Sequence, residues 1–225
     1  MQENVPIVEH QEVMNPFNFF DRIYCINLDS RKDRWEQARQ EFSSIGILDS
    51  VKRFSGITYN EMKDPYWNKC IGCHLSHLEL IATAKQLELS NILIFEDDVE
   101  FINNTLDTLS LAIDQIPLNW NMFYLGGNIC NRITIINRNI GKLSHAQSTH
   151  AYAINSNFYD IILNKGDQFW NRHMDVVYSD DLIPYNKCYI TIPMIAVQRD
   201  TFSDIEGRVV SYRGWMEKRF WEQLS

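Results

Sequence analysis

Apolar residues in this chain fall into short runs separated by stretches of helical spacing, and the alternation is regular in the first half. Ile23-Tyr24-Cys25-Ile26-Asn27-Leu28 predicts a first strand. Ser30-Arg31-Lys32-Asp33 has the form of a capping box and opens a helix with Trp35, Ala38 and Phe42 on one face, ended by Gly46. Ser50 to Phe54 predicts a second strand, and Ile57 to Asn68 a loop. Leu75, Leu78, Ala82 and Leu89 form a helical stripe that leads to a third strand at Ile92. A further helix carries Leu106, Leu109, Ile113 and Ile116 and stops at Pro117. Met122 to Leu125 is a strand closed by Gly126-Gly127; beyond it Ile133–Ile136, Ala151–Ile154 and Tyr189–Ile192 are short strands, and Phe158–Leu163 a short helix. This order predicts an α/β protein with a Rossmann-like, mostly parallel sheet in its first half and a mixed second half. Residues 1–18, with two prolines and several Glu and Gln, read as a flexible N-terminal arm ahead of one domain over 19–225.

The third strand carries the strongest chemical signal. Ile92-Leu93-Ile94-Phe95 is a buried-strand run, and it stops on Glu96-Asp97-Asp98. Ionised carboxylates are costly to bury, so the acids belong just past the strand's C-terminal end, the edge where open α/β sheets bind ligands. Three acids so close together repel, and a hard divalent cation held through oxygens relieves them. Solvated acids at the start of a loop are the plainer explanation. Against it, Val99 and Phe101 resume apolar character at once, and Asn104-Thr105-Leu106-Asp107 has the form of a helix start.

Composition narrows the choice of function. A formal net charge of −8 argues against nucleic acid as a partner and requires any phosphate ligand to be met by local cations or a metal. No apolar run approaches a membrane span, and the first residues lack signal-peptide form, which points to a cytoplasmic protein. Five cysteines at irregular spacing then default to free thiols. Cys70-Ile71-Gly72-Cys73-His74 matches haem-attachment spacing, but with no export signal and no second ligand pair the haem, redox and zinc readings are all set aside. No glycine-rich dinucleotide motif or phosphate loop is present.

Motifs in a fixed order now carry a resemblance. Ile26-Asn27-Leu28 with Arg31 and Asp33-Arg34 comes first, then Gly72-Cys73-His74-Leu75-Ser76-His77, then Phe95-Glu96-Asp97-Asp98. Tyr124-Leu125-Gly126, Ala151-Tyr152-Ala153-Ile154, Asp175 and Pro193 through Gln198 follow. In this order, over roughly Ile23 to Asp204, the chain resembles glycosyltransferase family 25, the lipooligosaccharide and procollagen galactosyltransferases. The resemblance implies a GT-A-type nucleotide-sugar fold, a UDP-hexose donor (usually UDP-galactose), and a glycan or hydroxylysine-bearing acceptor. It also implies a metal at the acidic motif, with Asp98 the first choice of ligand and Glu96 or Asp97 completing the shell or holding the donor ribose; Mn²⁺, or Mg²⁺, suits such an oxygen site. Two departures stand out: Lys69-Cys70 replaces a common Gly-Glu, and the basic tail of many bacterial members is missing, so membrane association is at most peripheral. A last amphipathic segment with Trp215, Phe220, Trp221 and Leu224 is expected to pack on the sheet.

The remaining assignments carry alternatives. Asn27, Leu28, Ser76, His77, Glu96 and Asp97 fall to the donor side through their motifs. Arg31 and Arg34 either reach the nucleotide and diphosphate or pair with Asp29 and Asp33. His77 is expected to make a buried structural hydrogen bond rather than to ligate metal, and Cys73 to be a small core residue. Gly126-Gly127 lets a sugar approach the backbone or simply turns the chain, and Gln198 bonds a sugar hydroxyl. Asp175 is a helix cap or the general base of an inverting transfer, with Asp180 and Asp181 as rivals. The leading function is a metal-dependent inverting glycosyltransferase, placed by the resemblance in lipooligosaccharide-type biosynthesis. The alternatives are a catalytically weak carbohydrate-binding or scaffold protein and, lacking a basic phosphate loop, a nucleotidyltransferase or phosphatase.

Overall fold

A computed structural model describes residues 15–166 and 170–224. Of the expected arm, residues 1–14 lie outside the described residues. Pro16–Phe19 form a 3₁₀ turn that buries the Phe17 ring against Phe95 and Phe101, so core packing begins before residue 19.

The strands are β1 (Arg22–Asn27), β2 (Val51–Ser55), β3 (Asn91–Glu96), β4 (Val99–Phe101), β5 (Met122–Tyr124), β6 (Asn128–Ile129), β7 (Thr134–Asn137), β8 (Ile140–Lys142), β9 (Ala146–Gln147), β10 (Ala151–Asn155), β11 (Cys188–Thr191), β12 (Ala196–Gln198), β13 (Thr201–Ser203) and β14 (Arg208–Val210). The helices are α1 (Lys32–Ser44), α2 (Pro65–Gln86), α3 (Thr105–Ile113), α4 (Tyr159–Leu163), α5 (Met174–Val177) and α6 (Arg213–Leu224).

The main sheet runs β2-β1-β3-β10-β5-β11-β8-β7. Its first three strands are parallel; β10 then enters antiparallel between β3 and β5, and β5 and β11 are parallel to each other. The α/β architecture with a parallel first part and a mixed second part is thus the one observed. Apolar clusters cover both faces of the sheet, one built on Ile92, Ile94, Tyr124 and Tyr152, the other on Leu93, Phe95, Phe42 and Leu109. Alternate residues of β3 feed the two clusters, which is why all four of its apolar residues are needed.

Three local expectations change. Helix α1 starts at Lys32 with Arg31 as its cap residue and no side-chain cap; Asp33 bonds the Arg31 guanidinium instead of closing a capping box. Helix α2 begins at Pro65, inside the expected loop, because Asp64 accepts from Tyr66 N–H and proline is favoured at the first helical position. Between the acids and α3 lies an extra strand, β4, paired antiparallel with β12 so that Val99 faces Gln198. The final segment does pack down: Met216 and Phe220 of α6 are buried, while Trp215 and Trp221 remain exposed.

Candidate active site

The ends of the parallel strands build the site. In register, Ile26 of β1 lies beside Glu96 of β3, so Asn27 and the acidic turn emerge at one sheet edge. The antiparallel β10 starts at that edge, and the Glu96 N–H donates to the His150 carbonyl at 3.0 Å. The β4–β12 pair folds over the turn, with Arg199 N–H donating to the Asp98 carbonyl and its guanidinium to the Asp97 carbonyl, both at 2.7 Å. The turn is therefore held through its backbone as well as its side chains.

The three acids have different environments. Asp97 is buried and fully engaged: Asn27 Nδ2 donates to Oδ2 at 2.6 Å, and Arg34 Nη2 lies 2.5 Å from Oδ1. Burial still pushes its carboxyl up to about 7 against the pull of Arg34, with Asp98 adding to the push. Asp98 Oδ2 takes Arg34 at 3.0 Å and Gln198 Nε2 at 3.4 Å, whereas Oδ1 is buried with no hydrogen-bond partner. Burial raises Asp98 too, opposed by Arg34 and helped by Glu96. Glu96 Oε1 accepts from Thr149 at 2.6 Å and lies 3.5 Å from His77 Nε2. Burial would raise it, but His77, then Thr149 and His150, bring it down to about 2.

Two cavities meet at Glu96. One, of about 240 Å³, is walled by the β1 end with Leu28, the Gly56–Tyr59 loop, Arg34 and the three acids. The other, of about 670 Å³, is lined by Tyr66, Gln147, Thr149, Asp175, Tyr212 and Trp215 among others. Glu96, Cys73, Gln198, Ser203 and Ile205 line both.

The expected residues divide accordingly. Asn27, Leu28, Arg34, Ser76, His77, Glu96, Asp97, Asp98 and Gln198 all line the smaller cavity. Several act as struts there: Ser76 Oγ accepts from Ile57 N–H at 2.8 Å and so fixes the loop wall. His77 Nδ1 sits 2.9 Å from the Tyr152 hydroxyl, the expected buried hydrogen bond. Neither arginine pairs with Asp29, which binds Arg53 and Ser55; Arg31 holds Asp33 and Asp204, and Arg34 spans Asp97, Asp98 and Asp204. Asp175 opens onto the larger cavity, with Oδ2 fixed by Ser148 N–H at 3.0 Å. Asp180 and Asp181 line neither cavity and are paired with Arg172. Gly126 and Gly127 line neither as well: a Cβ on Gly126 would fall 1.7 Å from the Ala196 carbonyl oxygen, so its missing side chain lets two backbones meet rather than a sugar. Cys73 is half-buried on the cavity wall rather than in the core.

Sequence reasoning missed Thr149, His150, Arg199 and Asp204. The Thr149-His150 pair directly before an apolar strand was the available signal; Asp204 had none, since its role depends on a distant hairpin. His150 is fully buried, and burial lowers its pKa against the charges of Asp98 and Glu96.

The residues present fit a divalent cation. Asp98 Oδ1 is a buried, unpartnered acceptor, and Glu96 stands beside it on the cavity wall; Asp97, with both oxygens engaged, serves to hold the turn.

Such a site, with an acidic turn at the ends of the parallel strands, belongs to an α/β protein with a ligand-sized pocket at its sheet edge. The sequence carries the match: the model of glycosyltransferase family 25 (LPS biosynthesis protein) covers residues 20–162, and the chain belongs to that family. Among curated relatives, procollagen galactosyltransferase 2 of Homo sapiens is 33% identical over 48% of this chain and 21% of its own length. Procollagen galactosyltransferase 1-A of Xenopus laevis is 29% identical over the same shares, and inactive glycosyltransferase 25 family member 3 of Homo sapiens is 28% identical over 48% and 22%. The chain thus spans about a fifth of the length of the curated relatives it matches. A solved glycosyltransferase involved in glycosylation of the major capsid of PBCV-1 aligns with a TM-score of 0.47 at 9% identity, over 88% of this chain and 98% of that one. Among the described residues, no helix is long and apolar enough to cross a membrane.

Proposed function

We propose that this protein transfers a hexose, galactose in the first instance, from a UDP-sugar to an acceptor hydroxyl with inversion, using Mn²⁺ or Mg²⁺ held by Glu96 and Asp98. The observation that carries the proposal is the junction of two cavities at Glu96, one against the strand ends with Asp98 on its wall and one against Asp175. The bound cation would supply positive charge to the departing diphosphate. The chain's own residues do the rest. Asn27 and Arg34 hold the turn in place, and the Gly56–Tyr59 loop, fixed by Ser76, walls the nucleotide side. Gln198 bonds both Ser148 and Asp98, tying the two sides together. On the larger cavity, Asp175 takes the proton of the attacking hydroxyl; Ser148 N–H holds one carboxylate oxygen and leaves the other to the acceptor. Trp215 and Tyr212 give that cavity aromatic faces, and among the described residues no Lys or Arg lines it, which suits a glycan or a hydroxylysine side chain better than an anionic acceptor.

The test is donor hydrolysis by the purified protein with UDP-galactose, UDP-glucose and their N-acetyl forms, with Mn²⁺ and with EDTA. UDP release is expected from UDP-galactose and is expected to stop in EDTA. Release that persists in EDTA removes the metal; no release from any donor removes the enzyme. A second reading, a carbohydrate-binding protein of weak activity, draws on Arg34, whose guanidinium already neutralises Asp97 and Asp98 as a cation would. It predicts glycan binding without UDP release.

A further inference from the structure

Among the described residues, one group of mixed ligating side chains converges on Glu96, through Cys73 and His77 of α2. Cys73 and His77 stand one helical turn apart on α2, and β3 delivers Glu96 against them; one ligand atom from each lies within 4.8 Å of the others. Ligands around tetrahedral zinc are about 3.3–3.8 Å apart, as bonds of about 2.0–2.3 Å dictate, so small side-chain movements close the triangle. The His77 ring is fully buried, and its Nδ1 is taken by the Tyr152 hydroxyl at 2.9 Å, which leaves Nε2 pointing at Glu96. That is the arrangement in which a second partner orients a metal-bound imidazole. Cys73 lines both cavities, so an ion can reach its sulfur.

We propose that Cys73, His77 and Glu96 form a site for a thiophilic divalent cation of the zinc class, with its fourth position open to the cavities. A thiolate and an imidazole select zinc over Mn²⁺ or Mg²⁺, which favour the all-oxygen pair next door. Binding displaces the Cys73 thiol proton and forms a metal–sulfur bond. The sequence set zinc aside for want of a second ligand pair beside Cys70 and Cys73; the further ligands are His77, one turn along α2, and Glu96, delivered by β3, the next element in the chain. Occupancy draws Glu96 away from Asp98, so a soft ion here and a hard ion there compete for one carboxylate.

Titration of the intact metal-free protein with Co²⁺ tests the site without any donor, and its result is independent of transfer activity. A thiolate-to-cobalt charge-transfer band is expected, discharged by one equivalent of Zn²⁺. Cys73→Ser should abolish the band and weaken zinc at least tenfold, while Cys70→Ser should keep both. Tyr152→Phe should keep the band and weaken zinc by about 10–100-fold, the usual cost of losing a partner that orients a ligand. Cobalt binding with no thiolate band in the wild-type protein, or a band lost in Cys70→Ser, overturns the proposal whatever the folding of the other variants.

Discussion

Arg34 is the residue on which the acidic turn depends, and Arg34→Met removes its charge while keeping much of its aliphatic volume. In the wild-type protein its guanidinium bridges Asp97 and Asp98 at 2.5 and 3.0 Å, with all three side chains at most 13% exposed. Breaking a buried pair by deleting one partner costs about 3–5 kcal/mol, because the remaining charge is left without compensation. Asp97 already stands near neutrality, at about 7, so without Arg34 it takes up a proton instead of remaining a bare anion. That escape puts the expected cost at the lower end, about 3 kcal/mol, or roughly 6–12 °C in Tm for a chain of this size. The divalent cation proposed on Glu96 and Asp98 would replace part of the lost charge. Saturating Mn²⁺ is therefore expected to raise Tm more in Arg34→Met than in the wild type, where the ion would have to share Asp98 with the guanidinium. Thermal unfolding in EDTA and in Mn²⁺ measures both terms. A loss below about 1 kcal/mol would mean that the acids are effectively solvated. Equal Mn²⁺ shifts in the two proteins would show that Arg34 and the metal do not share Asp98, and the metal assignment would fail with that result.

Asp98→Asn should weaken calorimetric binding of UDP with Mn²⁺ at least tenfold, and EDTA should abolish that binding in the wild type; equal affinity in EDTA would sink this expectation. Asp175→Asn keeps its shape and its Ser148 contact, so UDP and Mn²⁺ should still bind while transfer falls about a hundredfold, the lower bound for losing a positioned base. Near-normal turnover would exclude Asp175, and since Asp180 and Asp181 line neither cavity, the base would then have to be another group on the larger one. Phe17→Ala should cost about 3 kcal/mol in chemical unfolding, because a fully buried ring in contact with Phe95 and Phe101 leaves a cavity behind; a change within experimental error would return this residue to the peripheral arm.

The sequence by itself determined most strands of the main sheet and the position of the acids. A run such as Ile92–Phe95 has few ways to bury four apolar side chains, and three ionisable residues after it have to leave the sheet. Ordered motifs extended that to a family, because they sample much of the chain at once. The division of labour among the acids was decided elsewhere. Asp97 became the structural acid because Asn27, at the end of a parallel neighbour, and Arg34, one turn into α1, meet it there. Asp98 kept an unpartnered oxygen because β12 supplies only Gln198 and a backbone donor from Arg199. Gly126 read as a place for a sugar or a turn, and its missing side chain makes room for the Ala196 carbonyl. Asp180 and Asp181 read as rivals to Asp175 and went to Arg172. Each of these outcomes turns on a partner from another segment of the chain. Local pattern registers whether a residue is apolar and how its neighbours are spaced, but which charge or carbonyl arrives opposite it is fixed only when the sheet order and register are set.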